Sequence, residues 1–161
     1  MPSRISLGTV IAAALIGGAA LAPFAKGAIP DDACAQLTPA QVSGAVHVTV
    51  GAGTYVTPSF KRTCTWNATN PVPNSTKFVT LLLQSIDAFQ AGKAMGQMKS
   101  IVVTSVSGVG DDAYYLAVGP QVGLIVKKGS TAFKVAVYAD IPLEEKEAME
   151  KTLALQVAAK L

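Results

Sequence analysis

The chain has 161 residues, half of them hydrophobic, with 13 basic and 10 acidic side chains and a formal net charge of +3. Its Lys and Arg residues are scattered, which excludes the dense basic face of a nucleic-acid-binding domain. A single histidine excludes a multi-histidine metal centre.

The N-terminus follows the export pattern. Arg4 supplies a positive start, Val10 to Ala22 is uncharged and apolar, and the small residues Ala25 and Gly27 suit a cleavage nearby. From Leu7 to Ala22 the apolar stretch is rich in Ala and Gly and shorter than the ~20 residues that span a bilayer. Residues 1–27 therefore read as a signal peptide and 28–161 as one domain, with no permanent membrane anchor. The first cysteine, Cys34, follows Asp31-Asp32-Ala33, the wrong context for lipidation. Arg4 and Lys26 leave with the leader, so the exported chain is nearly neutral.

Cys34 and Cys64 are the only cysteines of a chain sent to an oxidising compartment, which points to one disulfide. Neither has the CxxC context or neighbouring base of a reactive thiol. Thr38-Pro39-Ala40-Gln41 is a helix start, with Thr38 as cap, Pro39 in the first turn and Gln41 closing a capping box. This helix ends near Gly44 or Ala45. Residues 51–58, rich in Gly, Thr and Pro, read as a loop.

Strands are expected over 63–68 and 77–86, separated by the Asn-Pro-Val-Pro-Asn turn at 70–74. In the second strand Val79, Leu81 and Leu83 share a face. Asp87 with Gln90 predicts a second helix running to about Lys99, weakened by Gly92 and Gly96. Val102 and Val103 begin another strand. After the Gly108-Val109-Gly110 turn come strands over 113–118, 121–128 and 131–139, joined at Gly119-Pro120 and Gly129-Ser130. A last helix starts near Ile141-Pro142, with Glu144, Glu145 and Glu147 early and Met149, Leu153 and Val157 as its apolar stripe. The tight turns require antiparallel pairing, so the fold class is α+β: a mainly antiparallel sheet with helices packed on one face.

No residues assemble into a catalytic site. His47 lacks a GxSxG elbow or a second histidine and reads as a surface or capping residue. Gly108-Val109-Gly110 precedes a strand rather than a helix, so it is a turn and not a dinucleotide loop. Asp111 and Asp112 are adjacent in an extended segment and point to opposite faces, which suits solvated or capping carboxylates. Trp66 fits the core beside the disulfide. Tyr114 and Tyr115 alternate, so one of them is expected to face outward, and with Tyr138 they are the candidate ligand or partner contacts. Asn67-Ala68-Thr69 and Asn74-Ser75-Thr76 match the glycosylation acceptor pattern.

Residues 32–42, Asp-Ala-Cys-Ala-Gln-Leu-Thr-Pro-Ala-Gln-Val, together with Cys64-Thr65-Trp66 and Gly108-Val109-Gly110-Asp111-Asp112-Ala113, resemble a known pattern. It belongs to a family of small extracytoplasmic proteins of unknown function, common in actinobacteria and often lipoproteins. That family is distantly similar to the extracellular sensor domains of bacterial receptor kinases. The resemblance implies an antiparallel sheet with flanking helices, a disulfide between the matching cysteines, and binding of a ligand or partner. It carries no catalytic residues to transfer, and this chain lacks the lipidation cysteine.

The expectation is thus a non-catalytic extracytoplasmic binding or accessory module, without cofactor or metal, that recognises a small molecule, a peptide or an envelope protein. The alternatives are a small secreted hydrolase, in which His47 would meet a Ser and an Asp, and a secreted inhibitor or structural protein. The last would insert a loop such as 51–60 or 68–76 into its partner.

Overall fold

Thr38 caps the first helix of this computed structural model, which describes residues 30–161. The signal-peptide expectation falls on residues outside that range. The Thr38 hydroxyl accepts from the Gln41 amide, and the Gln41 side chain accepts from the Thr38 amide. This reciprocal pair starts α1 (Pro39–Val46). His47 ends the helix in the left-handed region, at φ 57°. Among the described residues, no helix is long and apolar enough to cross a membrane.

Seven strands follow: β1 (Thr54–Thr57), β2 (Phe60–Asn67), β3 (Thr76–Gln84), β4 (Val102–Val106), β5 (Asp112–Val118), β6 (Gln121–Lys128) and β7 (Thr131–Ala139). They form one antiparallel sheet in the order β1-β2-β3-β7-β6-β5-β4. The α+β expectation therefore holds. The loop expected over 51–58 instead contributes β1, a four-residue edge strand whose ladder to β2 slips between Tyr55 and Thr57.

Along the chain, α2 (Ile86–Ala94) connects β3 towards β4. Ser85, not Asp87, caps it, because Ser85 is extended and its hydroxyl reaches the Ala88 amide. Asp87 instead places its charge in the first turn. The helix stops well short of Lys99, and the chain tightens into a 3₁₀ turn over Met95–Gln97. Gly92 is required by contact rather than by a bend. A Cβ there would collide with the Tyr114 hydroxyl.

The last helix, α3 (Leu143–Ala158), packs on β6 and β7 and against α1. Leu153 and Val157 are fully buried, and Met149 packs partly buried beside them. The main core joins α1 and α3 to Cys64, Trp66, Val79, Leu81, Leu124, Val126, Phe133 and Val135. Cys34 and Cys64 form the disulfide and pin the segment before α1 to β2.

Helices do not all lie on one face, and this corrects the expectation. The α2 residue Phe89 packs with Tyr114, Ile125 and Ala132 on the side of the sheet opposite α3. The reason lies in the strand pattern: β6 is apolar on both faces over Val122–Val126, so each face needs a cover.

Two charged residues sit in the α3 interface. Lys146 donates to the Pro120 carbonyl at 2.9 Å. Glu150 is fully buried and its Oε1 accepts from the Val137 amide at 2.9 Å. The β6–β7 ladder ends at Leu124↔Val135, so the Glu150 carboxyl serves a strand amide beyond the last paired rung. Its Oε2 has no hydrogen-bond partner among the described residues. Burial pushes this carboxyl up to about 8, with the Glu147 charge adding to the rise. The Val137 amide, the Lys134 charge and the Leu124 backbone pull the other way.

Candidate functional site

α2 covers only the part of its face near Phe89, and the other end of that face, at β3 and β7, is open. Phe78 and Tyr138 stand directly opposite each other there and stack, with ring centroids 4.3 Å apart and planes at 17°. Beyond Phe78 lies a shallow, wide-open cleft of about 720 Å³. Pro71, Val72 and Pro73 form its far wall, Asn67 and Ala68 one side, and Lys77 and Asp140 its charged rim.

Local chemistry explains each part. Pro71 and Pro73 fix two backbone torsions of the loop, and Asn74 turns it with φ 58°. The Val72 amide donates to the Ser75 hydroxyl at 3.2 Å, and that hydroxyl donates back to the Val72 carbonyl at 2.8 Å. The loop thus holds Val72, which is 59% exposed, in a set position.

Lys77 reaches the rim because the β3–β7 register slips between Thr76 and Phe78. Two β3 steps there match one β7 step, making Lys77 the extra residue of a bulge. Its ammonium pairs with Asp140 just past the end of β7. The Lys77 hydrogen bond and charge hold the Asp140 carboxyl below the usual carboxylate range. Both side chains stay largely in water, at 53% and 67% exposed.

Of the three tyrosines expected to make contacts, Tyr138 alone lies near this cleft, stacked behind Phe78 rather than lining it. Tyr114 and Tyr115 are both buried, against the expectation that one faces out. β5 is an inner strand, and α2 and α3 cover its two faces. The Tyr114 hydroxyl donates to the Phe89 carbonyl at 2.8 Å, and the Tyr115 hydroxyl donates to the Glu147 carbonyl at 2.7 Å. Burial pushes the Tyr114 phenol up to about 12, with the Asp112 charge adding to it. The Tyr115 phenol also rises, from burial first and then from the Glu147 and Glu150 charges. Both phenols are structural struts.

Other candidates separate in space. Cys34 and Cys64 are joined as expected. His47 is exposed at the end of α1, beside Glu145 and Met149 in a surface groove. Asp111 accepts from the Gly129 amide at 2.7 Å, which lowers its affinity for a proton. Asp112 pairs with Lys93 of α2 at 2.6 Å. The two carboxylates therefore do separate jobs, one closing a turn and one tying α2 to β5. Among the described residues, no three His, Cys, Asp or Glu side chains are grouped to hold a metal ion.

Sequence reasoning missed Phe78, Val72, Lys77 and Asp140. The Asn-Pro-Val-Pro-Asn signal was visible as a turn, but the cross-strand pairing that sets Phe78 against Tyr138 spans the whole second half of the domain. No family model, curated protein or solved structure matches this chain.

Proposed function

We propose that this protein is an extracytoplasmic binding module whose ligand site is the cleft beside Phe78. The observation that carries this reading is the open, largely apolar surface cleft itself, set between Phe78, which stacks on Tyr138, and a proline-stiffened loop. Apolar walls with a few placed polar groups are the usual make-up of a small-ligand site. The disulfide supports an oxidising, extracytoplasmic location, since such bonds persist there and not in a reducing cytosol. The motifs shared with the small extracytoplasmic actinobacterial family support the same reading, as does the leader-like N-terminus.

Native mass spectrometry of the protein recovered from its own host tests this. The expected result is a co-purifying small molecule that is lost from the Phe78→Ala variant, with Trp66 fluorescence confirming that the variant is folded. Protein that is bare in both forms, and that no soluble ligand restores, would sink the small-ligand reading. The exposed Val72 loop would then favour insertion into a protein partner instead.

A further inference from the structure

We propose that the cleft takes a free α-amino acid with an aromatic or large aliphatic side chain, its zwitterion read by Lys77 and Asp140. This deepens the ligand-binding reading above and rests on it. The apolar part of the ligand meets Phe78, which Tyr138 backs, and the Pro71–Val72–Pro73 wall. The polar part meets a rim with one positive and one negative group in contact.

Charge geometry selects the head group. An α-amino acid carries its ammonium and carboxylate on one carbon, so its two charges are as close as those of the ion pair they would meet. The carboxylate accepts from the Lys77 ammonium, and the ammonium donates to the Asp140 carboxylate. A simple acid would face the Asp140 charge unaided, and a simple amine would face that of Lys77. In a peptide each added residue separates the terminal charges by about 3.5 Å, so its two ends cannot both meet a contact pair. The rim can open, because an ion pair this exposed contributes little to stability and exchanges partners with water readily.

The position of Lys77 is the second, independent sign. A regular β3–β7 ladder would hold it on the pleat, whereas the register slip adds it as an extra residue at the cleft that Phe78 lines. Bulges of this kind re-aim side chains next to binding sites. On its other edge, β3 continues its ladder to β2 past Phe78: the Ala68 amide donates to the Lys77 carbonyl at 2.9 Å, which ties the cleft's side wall to the same residue.

The test is an amide-resolved NMR titration of ¹⁵N-labelled protein with four probes: L-phenylalanine, N-acetyl-L-phenylalanine, L-phenylalaninamide and the dipeptide Phe-Phe. L-Phenylalanine should shift the Asn67, Val72 and Phe78 amides saturably, and each blocked probe should bind about tenfold more weakly or worse. Lys77→Met and Asp140→Asn, both at exposed positions, should each weaken L-phenylalanine by a similar factor while leaving the spectrum otherwise folded. If a blocked probe or the dipeptide shifts the same amides as well as L-phenylalanine does, the zwitterion assignment fails and the cleft remains a ligand site. If none of the four shifts those amides, the amino-acid assignment is overturned, and a co-purifying ligand of another class would show the cleft reading to be independent of it.

Discussion

Replacing Glu150 with Gln is expected to leave stability near pH 5 almost unchanged and to raise it by about 2–4 kcal/mol at pH 8. The buried Glu150 carboxyl has its proton affinity raised from an ordinary 4.5 to about 8. Between those values the folded protein holds a proton that the unfolded chain has released. The folded state therefore binds more protons across this window, and its stability falls as pH rises from about 4.5 to 8. Above about 8 both states are ionised and the loss levels off. Gln keeps an oxygen for the Val137 amide and has no charge to bury. Asp111 and Asp140 are shifted downward, so their stabilising contributions are lost only at more acid pH and do not blur the window. Urea unfolding of both proteins at pH 5, 6.5 and 8 measures the effect. Parallel pH curves for wild type and variant would mean that Glu150 folds already ionised.

Removing the disulfide should have a comparable cost at every pH. Cys34 and Cys64 close a loop with a sequence separation of 30. In the chain-entropy picture this constrains the unfolded state by about 3–4 kcal/mol. Cys34→Ala with Cys64→Ala should lower the unfolding free energy by that amount and the melting temperature by roughly 10 °C or more. Reduction of the wild-type protein should give the same loss. The contrary outcome, a change under about 1 kcal/mol, would show that Ala33, Leu37 and Val42, all buried, hold α1 without help.

The elements that the sequence revealed are those with short-range causes. The Thr38-Pro39-Gln41 box sets α1, and Gly119 and Gly129, both at positive φ, turn the hairpins of the second half where expected. What escaped has long-range causes. Ser85 and Asp87 are both fair helix caps, and only the strand entering α2 decides between them. Tyr114 and Tyr115 looked like an in-out pair because nothing local says that α2 crosses to the far face. Glu150 lay on a helix whose apolar stripe was legible, but its burial depends on where the β6–β7 ladder ends. The binding cleft was the least visible part. Tyr138 was singled out, yet its partner Phe78 and the re-aimed Lys77 depend on a register set between distant strands.

That strand order also bears on how the chain reaches its native state. β1-β2-β3 and β4-β5-β6-β7 are each built from consecutive strands, and only the β3–β7 ladder joins them. Before it forms, each half-sheet presents a nine-residue, largely apolar strand with open hydrogen-bonding groups. Joining the halves across the intervening chain is slow relative to local hairpin closure, and an unpaired apolar edge can meet its counterpart on another molecule first. Refolding yield should accordingly fall as protein concentration rises, with the loss recovered on dilution. A yield independent of concentration would mean that the two halves never exist apart.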